Sequence, residues 1–233
     1  MGVEAVFPKV LFSVGGIPIK DTVVHTWVVI AILAGLAMWA RERYCTWEPK
    51  GWQLAIEYLM DYINNLSINM SGRSFPQIIP FLTTMITFIA VSNLLGLLPV
   101  FQAPTRDLNT TAALSLISLG ACQAFGIKKR GFKKYLHTFI EPTPIMLPMT
   151  LMSQLSSRLS MALRLFGNVM AGEIIGAVMF LLFPVLGPLP LNLLSIITSV
   201  LQALVFTVLT LVYVIEAMGT QEEQATASEQ ENP

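Results

Sequence analysis

Residues 153–173 place serine, arginine, asparagine and glutamate at fixed intervals inside the longest apolar tract of the chain. Ser153, Ser157, Ser160, Arg164 and Asn168, followed by the small Ala171 and Gly172, recur every three or four residues and so share one stripe of an α-helix. Leu151, Leu155, Leu159, Leu163, Leu165 and Phe166 fill the other faces and suit lipid or a neighbouring helix. A guanidinium at membrane depth costs about 2.5–3.5 kcal/mol on insertion scales and about 10–17 kcal/mol on an isolated helix. It also keeps its charge at any ordinary pH. Such a charge has to face a carboxylate or a water-filled cavity, which makes Arg164 a candidate functional residue. The competing reading, a helix-end arginine reaching the headgroups, is opposed by the apolar sequence that runs on to Phe183.

The 233 residues are 54% hydrophobic and 12% charged, with mean hydropathy +0.66. A soluble domain carries roughly 25% charged residues, so the composition is that of an integral membrane protein. Basic and acidic residues balance at net zero, which gives no footprint for nucleic acid. Cys45 and Cys122 are far apart and read as two unrelated thiols. His25 and His137 are isolated, so no metal site is expected, and no glycine-rich phosphate loop is present. No cofactor and no ATP site is expected on this chain.

Residues 1–21 read as an N-terminal extracytoplasmic segment with a turn at Gly15-Gly16-Ile17-Pro18, and no signal peptide is expected. Residues 22–40 are long enough to span a membrane, with Trp27 and Trp39 as interfacial anchors. Residues 53–70 alternate apolar side chains with Glu57, Asp61, Asn64 and Asn65, the pattern of an amphipathic surface helix. A helical hairpin is expected over 77–127, with Asn109 or Thr110 capping its second helix and Ala112, Ser115, Ser118 and Ala121 allowing close packing. Residues 142–218 form a second hairpin. Its helices, 148–180 and 191–218, would be roughly 50 Å and 42 Å long at 1.5 Å per residue, against a hydrocarbon core of ~30 Å, so they must tilt steeply or bend. Residues 219–233 read as a disordered cytoplasmic tail, with Glu216 just before it. The fold class expected is an all-α integral membrane protein of about five transmembrane helices plus the surface helix, in a single membrane domain.

Charge sets the orientation. With the amino terminus outside, inner loops carry nine basic residues, among them Arg41, Arg43 and the run Lys128-Lys129-Arg130, and outer segments carry three, Lys9, Lys20 and Arg106. The positive-inside rule then puts the amino terminus outside and the carboxyl terminus in the cytoplasm.

The run Arg164-Leu165-Phe166-Gly167-Asn168, followed by Ala171-Gly172-Glu173, resembles the signature of subunit a of the F-type ATP synthase. So do Asn93-Leu94-Leu95-Gly96-Leu97-Leu98-Pro99 and Pro104-Thr105-Arg106-Asp107-Leu108-Asn109-Thr110-Thr111. The resemblance implies the ion-conducting stator subunit beside a rotating ring of c-subunits, in a bacterial inner membrane. Its implied partners are the c-ring, the peripheral-stalk subunit b, the rest of the complex, the bilayer and the transported H+ or Na+. The long hairpin would lie tilted against the ring. Arg164 would be the fixed charge that ionises each passing c-ring carboxylate and separates two aqueous half-channels. Asn168, Ser160 and Ser157 would line the ion pathway, and Glu173, about 180° around the helix from Arg164, would belong to the outer half-channel. Gln202 would hold the guanidinium from the last helix.

Several positions depart from the family's pattern. Thr150 and Ser153-Gln154 stand where many relatives have a carboxylate, and Ser195 where some have histidine. Arg158 stands where proline is frequent and is expected to snorkel to the cytoplasmic interface. Two other classes carry the same arginine: a secondary transporter, for which the halves show no convincing repeat, and a non-conducting membrane scaffold.

Overall fold

Apolar runs become helices, and prolines, glycines and one aspartate set their ends. The computed structural model describes residues 10–14, 17–43, 51–96, 101–133, 135, 146–183 and 188–219. Among the described residues the long helices are α1 (Asp21–Glu42), α2 (Gly51–Ser71), α3 (Ile79–Leu95), α4 (Leu108–Arg130), α5 (Met146–Leu182) and α6 (Pro188–Met218). Helices α1, α4, α5 and α6 are long and apolar enough to cross a membrane, and α3 is a shorter apolar helix. The protein is therefore an all-α membrane protein, as its composition requires.

One small addition precedes α1. Strands β1 (Val10–Val14) and β2 (Ile17–Lys20) pair antiparallel with an irregularity between Val10 and Phe12. Ile17 and Pro18 thus belong to a strand rather than to a turn, while Gly15 and Gly16 lie outside the described residues. Cys45, His137, Pro142, Pro144 and the tail from 220 onward lie outside them too.

Helix starts follow local chemistry. Helix α6 begins at Pro188 with Pro190 close behind, positions where a missing N–H breaks no helical hydrogen bond. The cap of α4 is Asp107, not Asn109 or Thr110: its Oδ1 accepts the Asn109 N–H at 3.0 Å. A 3₁₀ turn, Pro104–Arg106, leads into that cap. The turn is held close to the end of α3 because Gly96 has no side chain; a Cβ there would collide with the Ala103 Cβ and lie 2.9 Å from Ala103 main-chain atoms.

Helix α6 is the hub and packs against α3, α4 and α5. One buried cluster joins Met85 and Ile89 of α3, Leu114 of α4, Met161 and Leu165 of α5, and Ala203 and Phe206 of α6. A second joins Ile63 of α2 to Leu82, Cys122, Leu211, Val214 and Ile215. In lipid such contacts act through close packing and interhelical hydrogen bonds rather than water exclusion. Ser118 Oγ lies 3.0 Å from Thr210 Oγ1, and Ser115 Oγ donates to the Arg158 carbonyl at 2.7 Å.

The long hairpin is not covered evenly. In the most apolar stretch of α5 only 6% of residues are buried, against 33% in α4 and α6. With 37 residues, α5 is an unbroken helix of roughly 55 Å, nearly twice a ~30 Å hydrocarbon core.

Candidate functional site

At 100° per residue, α5 divides into a covered and an uncovered face around Arg164. Met161, Ala162 and Leu165 are buried against the neighbouring helices. Ser160, Leu163, Arg164, Gly167 and Asn168 are exposed on one face, and Leu151, Leu155 and Leu159, also exposed, lie about 140–180° around the helix from Arg164. Among the described residues Arg164 makes no hydrogen bond and no ion pair. Ser157 is half-buried and its Oγ donates to the Ser153 carbonyl, 2.9 Å away. Gln202 is buried beside Ala203 on α6. The structure does not join Gln202 and Arg164 by a hydrogen bond.

Glu173 lies elsewhere, as its half-turn offset requires. Arg106, at the end of the 3₁₀ turn, reaches it: Arg106 Nη1 is 3.4 Å from Glu173 Oε2, and Nη2 is 3.3 Å from Asp21 Oδ2. Nη2 also donates to the Gln102 side-chain oxygen. The Arg106 side chain is only 2% exposed, yet two carboxylates from α1 and α5 compensate it. Asp107 continues the network. Its Oδ2 accepts from Lys20 Nζ and from Thr22 Oγ1, both at 3.0 Å. Burial alone would raise the Asp107 pKa, but the Asn109 amide, Lys20 and Thr22 together hold its carboxyl below the usual carboxylate range. Next to it Thr105 Oγ1 donates to Asn93 Oδ1 at 2.6 Å, and Asn93 Nδ2 donates to the Ser199 carbonyl at 3.4 Å.

Arg158 corrects an expectation. It does not snorkel: it is 5% exposed, between α4, α5 and α6. Its Nη1 donates to Ser118 Oγ at 3.2 Å and its Nη2 to Cys122 Sγ at 3.1 Å, and the guanidinium carbon sits 4.1 Å from the Tyr213 ring centroid. A desolvated cation over an aromatic face gains about 2 kcal/mol or more, which helps offset burial. It borders an open cavity of about 470 Å³ lined by Gln123, Arg130, Tyr135, Ser153, Gln154, Ser157 and Glu216. Gln123 Nε2 donates to Gln154 Oε1 at 3.0 Å across this space. Burial pushes the Tyr135 phenol above its ordinary value, and its hydroxyl donates to Gln123.

Polar groups therefore gather at two places on either side of Arg164. One is the Asp21–Arg106–Glu173 cluster near the start of α4, and the other is the cavity near its end. Sequence reasoning missed Arg106 as a partner of Glu173, because they lie 67 residues apart and only the fold joins them. The usable signal was a basic residue in a proline-started turn beside the end of an apolar run. Ser195 does meet the signature helix: a Cβ added at Gly172 would lie 3.4 Å from its Oγ.

A family model described as ATP synthase A chain matches residues 23–215 of this sequence. The ATP synthase subunit a 1 of Crocosphaera subtropica is 37% identical over 210 residues, 89% of this chain and 91% of the relative. The ATP synthase subunit a 2 of a Picosynechococcus species is 37% identical over 216 residues, 92% of each. The ATP synthase subunit a of Legionella pneumophila is 34% identical over 223 residues, 95% of this chain and 96% of the relative.

Proposed function

This chain belongs to the ATP synthase subunit a family, and on that premise we propose that it is the ion-conducting stator of the complex, with Arg164 as its coupling charge. It serves ATP synthesis and ion transport as a multi-pass protein of a bacterial inner membrane, together with the rest of the ATP synthase. Its moving partner is a ring of c-subunits, and a peripheral-stalk subunit b holds it in place. The amino terminus is outside and the carboxyl terminus is in the cytoplasm.

The observation that carries this reading is an exposed Arg164 with no counter-charge among the described residues, on a helix face that it shares only with small or neutral polar residues such as Ser160, Gly167 and Asn168 and with Leu163. A charge so placed in a bilayer needs a counter-charge from another molecule. Each ring carboxylate stays neutral while it faces lipid; beside Arg164 it ionises and gives up its cation. Because Arg164 does not release its proton, no cation crosses directly from one side to the other.

The polar groups flanking Arg164 support two separate aqueous paths. Glu173 is nine residues beyond it, about 14 Å along the helix, and belongs to the outer path. Ser157 and Ser153 precede it by about 10 and 16 Å and border the polar cavity, which suits the inner path. Ser160 and Asn168, exposed one turn to each side, give the passing carboxylate polar neighbours. The membrane potential supplies about 2.3 kcal/mol per charge per 100 mV.

The test is ATP-driven cation pumping in inverted membrane vesicles carrying Arg164→Ala, with H+ and Na+ dependence compared. Pumping is expected to vanish while the complex still assembles. Pumping that survives would refute the coupling role.

A further inference from the structure

The outer cluster contains three carboxylates, Asp21, Asp107 and Glu173, and two cations, Lys20 and Arg106. Lys20 is engaged with Asp107. Among the described residues Arg106 is the cation that stands between Asp21 and Glu173, the carboxylates of the first helix and of the signature helix. Its backbone is fixed by the 3₁₀ turn, which is seated among α1, α3, α4 and α5, and the turn is anchored in turn by the bond from Thr105 to Asn93. The guanidinium cannot drift away as a mobile ion would.

We propose that Arg106 is a positioning residue of the outer ion path: as a tethered cation between Asp21 and Glu173, it holds the Glu173 carboxylate in place and favours its charged form against the burial that opposes it, ready to pass on the transported cation. The inference rests on the outer-path role given to Glu173 above. The groups facing Glu173 and Arg106 are few. Helix α1 supplies Asp21 and, one turn on, His25, whose Nδ1 is 2.8 Å from the Asp21 carbonyl and whose ring meets Phe101 edge-on. Among the described residues, strand β2 supplies Lys20, the segment flanking the turn supplies Gln102 and Asp107, α3 supplies the neutral Asn93, which bonds Thr105 of the turn, and α6 supplies the neutral Ser195 beside Gly172. Without Arg106 the two carboxylates face each other with no cation between them, and like charges that share a site retain a proton. The mouth of the path would then trap protons near neutral pH instead of delivering them.

The experiment uses the whole complex in inverted vesicles and records pumping against pH. Arg106→Ala is expected to move the acid limb of the profile upward by about one pH unit or more. Arg106→Lys, which keeps the charge without the two-armed geometry, should restore part of the shift. Asp21→Asn added to Arg106→Ala should also move the limb back, since it removes the opposing carboxylate. A purely structural Arg106 would lower the amount of assembled complex with the limb unmoved, and that result would overturn the proposal. Arg164→Ala run in parallel separates the two readings. If it abolishes pumping while Arg106→Ala leaves the pH profile unchanged, only the role of Arg106 fails.

Discussion

Arg158 and Arg164 lie six residues apart on one helix and have opposite surroundings. Arg158 is enclosed by Ser118, Cys122 and Tyr213, whereas Arg164 stands exposed among leucines and small residues. Six residues turn the helix by about 240°, which carries the guanidinium from the packed interface to the uncovered face. Arg106 offers a third case, a buried arginine balanced by two carboxylates. The three differ in where their compensation comes from: charged groups, neutral dipoles and a ring, or no group among the described residues. Only the last leaves an exposed charge that a group of another molecule could meet.

The largest effect is expected from removing each charge in turn without changing length much. Arg164→Met should abolish ATP-driven pumping while leaving the complex assembled; Arg158→Met, which puts an apolar chain where a desolvated cation sat, should keep pumping and assembly. Pumping lost in both variants at equal assembly would erase the distinction between the two faces. Next comes the covered neighbour of Arg164. Leu165 is fully buried, and Leu165→Ala should lower the thermal stability of the purified complex by about 2–5 kcal/mol, whereas Leu163→Ala on the exposed face should cost far less.

A smaller effect is expected where the chain approaches itself near Arg106. Gly96→Ala pushes a methyl into Ala103 and should cost about 1–3 kcal/mol, read as earlier thermal dissociation. The smallest concerns the α4 cap. Asp107→Ala should cost about 1 kcal/mol at neutral pH. The Asp107 pKa is lower in the folded protein than in the unfolded chain, so its contribution is complete above the ordinary carboxylate value and is lost as pH falls through the folded one. The stability gap between the parent and Asp107→Ala should therefore close on strong acidification, and a gap constant with pH would remove the charge from the explanation.

Helices and the polar stripe were legible because periodicity and length are local properties. Residues 22 to 40, nineteen residues with His25 as their only titratable group, required a membrane helix, and three-to-four spacing put Ser160, Arg164 and Asn168 on one face. The environment of each arginine was not legible in the same way. Arg158 reads like any basic residue of an apolar helix until α4 brings Ser118 and Cys122 to its height, from 40 and 36 residues away. The Arg106–Asp21 contact spans 85 residues. The cap of α4 was missed for a smaller reason: Asp107, Asn109 and Thr110 are all capable caps, and the 3₁₀ turn selects the first.

The cluster that ties β2, α1, the 3₁₀ turn and α5 also imposes an order on biosynthesis. At about 5–20 residues per second, Arg106, 67 residues upstream, is made roughly 3 to 13 seconds before Glu173. For that interval Arg106 has Asp21 and Gln102 at hand but not its α5 partner, and the first four helices have to be held by the insertion machinery or by each other. The cluster closes only when the signature helix arrives, so its closure reports that the chain has been threaded as far as α5, with α6 still to come.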